Sequence, residues 1–177
     1  MPKLQTIESV NYQWLSGPYG SANKNAFHVN GEVGVMYRVY GNIKLANQYL
    51  GHNYSIFGTV IDGKKIGRTI GFPTANINIA EDYKLLPKNG VYVVSSEINN
   101  KLFYGMMNIG NNPTIGENEQ SIEVHFFDLN EDIYNQKLKI VFLEHIRDEK
   151  KFNSIEELQS QLENDKKFSL DYIKEFQ

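Results

Sequence analysis

From Tyr54 onward, apolar and polar residues alternate with a period of two, in one run after another. The segments "YSIFGTVI" (54–61), "TANINI" (74–79), "GVYVVSSEI" (90–98), "KLFYGMMNI" (101–109), "SIEVHFFDL" (121–129) and "KLKIVFLEHI" (137–146) are all rich in β-branched or aromatic residues, and Gly, Asn, Pro or Asp lie between most of them. That pattern predicts strands. The "NN" at 99–100 sits between two of these runs, where a hairpin turn is expected. Six consecutive strands with no helix between them predict a mainly β fold, a six-stranded antiparallel barrel with Greek-key-like connections.

Helical periodicity appears on either side of the strands. In "GNIKLANQYLG" (41–51), Ile43, Leu45, Ala46, Tyr49 and Leu50 approximate one face, and Gly51 stands where a C-terminal cap belongs. Near the other end, Ser154 and Glu157 have the spacing of a capping box. After them Ile155, Leu158, Leu162, Phe168 and Tyr172 predict an apolar stripe that lays a C-terminal helix against the barrel. Residues 1–34 carry little periodicity and many loop formers. The chain therefore divides into an N-terminal extension, 1–53, with a short helix near 42–50, and a barrel domain, 54–177.

Composition narrows the function classes. A chain of 177 residues, 41% hydrophobic and 22% charged, is long enough to bury one sizeable core. A net charge of −3 supplies no global basic field, so no nucleic-acid partner is expected. No apolar run approaches the ~20 residues of a membrane span, and the N-terminus lacks the pattern of a signal peptide. Cysteine is absent, which excludes disulfides and thiolate metal sites and suits the reducing cytoplasm.

Candidate chemistry gathers around the second strand. "GTVIDGKK" (58–65) nearly matches a phosphate-binding P-loop, but Lys65 stands where the metal-binding hydroxyl belongs. Gly67, Gly71 and Pro73 also forbid the long helix that motif requires, so the P-loop reading is rejected. Gly63, Gly67 and Gly71, interleaved with Lys64, Lys65 and Arg68, suit either a basic hairpin loop or a loop that brings backbone N–H groups and cations to phosphate. Alternation in "TANINI" points Ala75, Ile77 and Ile79 to one face and Thr74, Asn76 and Asn78 to the other. The polar face is either solvated surface or, through Thr74 and Asn76, a pair of neutral oxygen ligands for magnesium shared with a nucleotide phosphate.

In "SIEVHFFD" (121–128), Ile122, Val124 and Phe126 point one way and Glu123, His125 and Phe127 the other. Glu123 reads either as a surface glutamate or as a base able to take a proton from a hydroxyl. Nothing around His125 points to zinc or to a triad. Finally, "HIRDEKKF" (145–152) forms either a solvated turn or a surface on which Arg147, Lys150 and Phe152 meet a planar ligand.

Taken together, "GTVIDGKKIGRTIGFPTAN" (58–76), "GVYVV" (90–94), "MNIGNNPT" (107–114), "IEVHFFD" (122–128), "DIYNQKLKIVFLEHIRDEKKF" (132–152) and "LQSQLENDK" (158–166) resemble the riboflavin kinase family. That family is found alone and as the C-terminal half of bacterial bifunctional riboflavin kinase/FAD synthetases. The resemblance runs from about Tyr54 to Asp171. It implies ATP-dependent phosphorylation of riboflavin to FMN, with Mg²⁺ accompanying ATP. It further implies Thr74 and Asn76 as metal ligands, Gly63 and Arg68 in the phosphate loop, and Asp128 and Tyr134 near the nucleotide. Glu123 matches the catalytic base, and Arg147, Lys150 and Phe152 match positions near the flavin. "MNIGNNPT" resembles a second mobile loop near the site, with no contact assigned to it.

"GNIKLANQYLGHNYSIFGTV" resembles the junction that follows the adenylyltransferase domain of the bifunctional proteins, making residues 1–53 a remnant of that junction. Neither "HxGH" nor "SSTxIR" precedes it. A kinase that stops at FMN is therefore expected, with a separate adenylyltransferase as a possible partner. The alternatives are a non-catalytic flavin- or nucleotide-binding barrel, and the kinase half of a split or truncated bifunctional enzyme.

Overall fold

The computed structural model describes residues 41–63, 66–80, 84–111 and 120–175. The reading of residues 1–34 as loop-rich, the cations Lys64 and Lys65, and the 112–114 part of the second loop lie outside the described residues.

Helix α1 (Ile43–Leu50) leads into strand β1 (Ser55–Ile61), followed by the single turn α2 (Ile66–Thr69), β2 (Ala75–Asn78), β3 (Gly90–Ile98), β4 (Lys101–Asn111), β5 (Gln120–Phe126), β6 (Lys137–Asp148) and α3 (Ile155–Lys174). The strands close into an antiparallel barrel in the order β1-β2-β5-β4-β3-β6. β3, β4 and β5 run consecutively, and β6 returns to lie beside β3, which is the Greek-key arrangement. The β3–β4 turn places Asn99 and Asn100 at φ of 50° and 60°. Asparagine tolerates this left-handed region better than most residues, and such two-residue turns match the twist of the strands.

Alternation decides what fills the barrel. Ile56, Val60, Ile77, Val94, Met107, Ile109, Ile122, Val124, Leu138 and Phe142 point inward and form one core with Tyr92 and Ile140. The opposite faces of β3 and β4 carry Val91, Val93 and Met106, which form a second cluster with Phe72, Ile173 and Phe127, the residue just past β5. β3 is consequently buried on both faces for most of its length. β5 ends earlier than the periodicity predicts, at Phe126 rather than 129, because Asp128 turns the chain at a φ of 57°.

The two larger helices dock by different means. α1 has Asn42 as its N-cap and Gly51 in the left-handed conformation as its C-cap, and it buries Ile43 and Ala46 in the barrel core. Asn47 ties it down: its amide donates to the Phe142 carbonyl (3.0 Å) and accepts from the Tyr54 N–H (2.7 Å).

α3 starts at Ser154, whose hydroxyl accepts from the Glu157 N–H at 3.1 Å, while Glu157 accepts from the N–H of Asn153. Its inward face corrects the predicted stripe. Ile155 and Phe168 are exposed, whereas Asp165, Ser169 and Ile173 are buried. Positions 158, 162, 165, 169 and 173 keep the three-and-four spacing of one helical face, whereas the stripe's step from 162 to 168 does not. Among the described residues, no helix is long and apolar enough to cross a membrane.

Candidate active site

The connection between β1 and β2 folds back on itself. The Phe72 N–H donates to the Gly67 carbonyl at 2.8 Å, and Gly71 reverses the chain at a φ of 81°. A Cβ on Gly67 would stand 2.1 Å from the Phe72 carbonyl oxygen, and one on Gly63 would stand 1.9 Å from the Asn76 amide. Backbone therefore lies directly over the Asn76 side chain, an approach that only glycine permits.

His125 holds the exit of this connection. Its Nδ1 lies 2.8 Å from the Pro73 carbonyl, and its ring packs edge-on against Phe72 and Phe127. Burial pushes the His125 pKa down, the Pro73 bond opposes that, and Lys166 adds to the lowering. The neutral ring donates to the carbonyl and fixes the backbone just ahead of Thr74.

Thr74 and Glu123 then meet. The threonine hydroxyl donates to Glu123 Oε2 at 2.9 Å. Asn76 pairs with Glu123 across β2 and β5, and Glu123 pairs with Asn108 across β5 and β4. Residues paired across antiparallel strands present their side chains on the same side of the sheet. Continued around the barrel, the register runs Ile61, Asn76, Glu123, Asn108, Val91, Arg147. The candidate metal ligand Asn76, the candidate base and the candidate flavin residue Arg147 thus share one outer-face row, and Thr74 joins it through its hydrogen bond to Glu123.

A cleft of about 460 Å³ opens next to Thr74, bounded by Arg68, Thr74, Asp132 and Tyr134 over an apolar floor that includes the inward-facing Val60, Val124 and Phe126; no strand-paired residue of the row lines it. The Arg68 guanidinium donates to the Tyr134 hydroxyl at 3.3 Å, closing one wall. Asn99, on the β3–β4 turn, anchors Glu131 on the cleft's rim at 2.7 Å. Asp128 is exposed and does not line the cleft.

Arg147 is engaged with α3. Its guanidinium donates to both carboxylate oxygens of Asp165 at 2.8–3.0 Å, with Asp165 2% exposed and the Arg147 side chain 20% exposed. Gln161 donates to the same carboxylate at 2.9 Å. The Arg147 and Lys150 cations lie 5.7 and 5.4 Å from the centre of the Phe152 ring, and Lys150 also pairs with Glu157. Arg147 therefore offers a fixed planar surface rather than a free charge.

Two residues of this neighbourhood escape a reading of the sequence. Asp165 is signalled only by its place on the inward face of α3, and Asn108 only by its register opposite Glu123.

Among the described residues, no group of three or more His, Cys, Asp or Glu side chains is placed to hold a metal ion. The neutral oxygens of Thr74 and Asn76 instead suit a hard cation that takes most of its ligands from phosphate and water.

A family model described as Flavokinase: Riboflavin kinase matches residues 50–173. The chain is 46% identical over 136 residues to the bifunctional riboflavin kinase/FMN adenylyltransferase of Bacillus subtilis (strain 168), covering 75% of this chain and 43% of that protein. It is 48% identical over 126 residues to the protein of the same description from Listeria monocytogenes, covering 71% of this chain and 40% of the relative. The chain thus spans less than half the length of these relatives. A crystal structure of a Streptococcus pneumoniae protein described as a macrolide-efflux protein superposes with a TM-score of 0.71 at 36% identity, over 78% of this chain and 45% of the other.

Proposed function

This chain belongs to the riboflavin kinase family, and we propose that it transfers the γ-phosphoryl group of ATP to the ribityl 5′-hydroxyl of riboflavin, giving FMN and ADP. The observation that carries the proposal is the placement of Glu123, hydrogen-bonded to Thr74 at 2.9 Å, between the Asn76 and Asn108 positions of the row. The cleft bounded by Arg68 and Tyr134 takes the nucleotide, and the surface of Arg147, Lys150 and Phe152 takes the flavin ring. The acceptor hydroxyl then falls in front of the Glu123 carboxylate.

Glu123 Oε2 accepts from Thr74, which leaves Oε1 to receive the proton of the attacking hydroxyl. As the O–H bond breaks toward Glu123, the oxygen bonds to the γ-phosphorus and the bond from that phosphorus to the β,γ-bridging oxygen opens, releasing ADP. The backbone around Gly63 and the Arg68 guanidinium bind the phosphates and oppose the charge spread over the phosphoryl oxygens. Thr74 and Asn76 would hold Mg²⁺ together with the phosphates, where the ion would supply further neutralisation of that charge. Asp128, exposed on its turn, is given no step. A cytoplasmic setting, which supplies ATP, suits a chain without cysteine.

The test is direct. Purified protein is incubated with ATP, Mg²⁺ and riboflavin, and the flavins are separated chromatographically. FMN that depends on protein and ATP is expected, and its absence would reduce the barrel to a binding module. The same separation reports FAD, for which this reading requires a separate adenylyltransferase. FAD above a control without protein would place a second site outside the described residues.

A further inference from the structure

We infer that Asn108 recognises the hydroxyl-bearing side chain of the acceptor and thereby sets which flavins the site takes. The inference rests on the reading above that the acceptor is riboflavin.

Asn108 is opposite Glu123 on one side and Val91 on the other, so its side chain stands next to the Glu123 carboxylate. Facing pairs of this kind have Cβ atoms about 4.5–5.5 Å apart. Thr74 reaches Glu123 from the β2 side, and Asn108 flanks it from the β4 side. Within residues 105–110, Asn108 alone is partly exposed while its neighbours are buried. Among the described residues its amide has no hydrogen-bond partner. An amide that pairs with no described residue and lies partly open to solvent has donor and acceptor to offer a bound group.

A glycine lets a second carboxylate close in beside the amide. Gly110 lies two residues along β4 on the same face, and the position its Cβ would take is 3.2 Å from Asn108 Nδ2 and 2.5 Å from Glu149 Oε1. Any larger residue at 110 would collide with that carboxylate and crowd the amide. Glu149 is itself held from behind by Asn89 at 3.3 Å, and Asn89 accepts from Gln120 at 2.7 Å. The resulting strip presents a carboxylate base, an amide with donor and acceptor, and a second carboxylate packed over Gly110.

Chemistry selects the ligand group. A chain of secondary hydroxyls, each both donor and acceptor, matches an amide of this kind, whereas an alkyl substituent leaves it unpaired. A polyol chain whose terminal hydroxyl faces Glu123 carries its next hydroxyls past Asn108. The amide then fixes the angle at which the reactive oxygen approaches phosphorus, making Asn108 a positioning and specificity residue.

The experiment compares riboflavin with lumiflavin, which carries a methyl group in place of the ribityl chain. Dissociation constants are taken from flavin fluorescence for the wild type, Asn108→Ala and Asn108→Ser. Asn108→Ala should weaken riboflavin about tenfold, roughly the loss of one hydrogen bond, and leave lumiflavin unchanged. The KM for ATP should not move. Asn108→Ser, which keeps a small polar group, should lie between, and it replaces the alanine variant if that variant does not fold. Equal losses for both flavins, or no loss for either, would overturn the inference while leaving the kinase reading intact. A wild type that binds neither flavin would overturn the kinase reading and this inference with it.

Discussion

Replacing Asp165 by leucine tests whether the buried pair with Arg147 holds α3 onto the barrel. The substitution removes the carboxylate that accepts three hydrogen-bond contacts from the guanidinium and one from Gln161, at 2.8–3.0 Å. The Arg147 charge stays behind, with its side chain 20% exposed and only the Asp148 carbonyl, 3.1 Å from Nη1, among the hydrogen-bond partners left to it.

Breaking a buried ion pair from one side costs about 3–5 kcal/mol, most of it the penalty of the stranded charge. Water can reach one-fifth of the Arg147 side chain, which argues for the lower end, near ~3 kcal/mol. For a chain of this size each kcal/mol moves the thermal midpoint by about 2–4 °C, so a drop of roughly 6–12 °C is expected.

The decisive comparison is the double variant Arg147→Met/Asp165→Leu, measured beside the single one by thermal and urea unfolding. Removing both charges replaces an unpaired ion with apolar contact, so the double variant should recover much of the loss. A midpoint for Asp165→Leu within about 2 °C of the wild type would show that the pair contributes little. A double variant no more stable than the single one would refute the stranded-charge account.

Glu123→Gln should lower kcat by about 10²–10⁴-fold with riboflavin and ATP affinities nearly unchanged, because the amide keeps the shape but takes no proton; near-normal turnover would remove Glu123 from the mechanism. Asn76→Asp adds a charge beside the triphosphate and should weaken Mg–ATP binding, seen by calorimetry, at an unchanged melting midpoint. A collapsed midpoint with normal ATP affinity in the folded fraction would make the residue structural. Gly67→Ala forces a Cβ to within 2.1 Å of the Phe72 carbonyl and should raise the KM for ATP by opening the connection, which unaltered kinetics would disprove.

Stability should also fall on acidification. The folded-state pKa of His125 lies below the unfolded value near 6.5, so the unfolded chain binds more protons in that window, and stability is lost as pH drops from about 6.5 toward the lower, folded value. His145, lowered chiefly by burial, adds to the same slope. In His125→Phe the slope of unfolding free energy against pH between 7 and 5 should be smaller by about one proton at most, and an unchanged slope would count against the assignment.

Local pattern determined much of this protein. A period of two is enough to say which residues of 121–127 face the core, and Ile122, Val124 and Phe126 do. Two asparagines between strands are enough to specify a tight turn, and Ser154 with Glu157 to start a helix. These features depend on a few neighbouring residues and on backbone sterics, so they are legible before any packing is known. The sharp motif around Thr74 and Asn76 likewise lies within one short segment.

Register and closure belong to the tertiary structure. Nothing local says that Asn76, Glu123, Asn108 and Arg147 fall on one row, because that depends on how β2, β5, β4, β3 and β6 slide into place as the barrel closes. The same holds for α3. Its apolar residues name Ile155 and Phe168, yet Asp165 and Ser169 face inward, where Asp165 meets Arg147 of β6. A hydrophobic period records what water excludes; it carries no record of a buried charge, whose partner comes from a different strand.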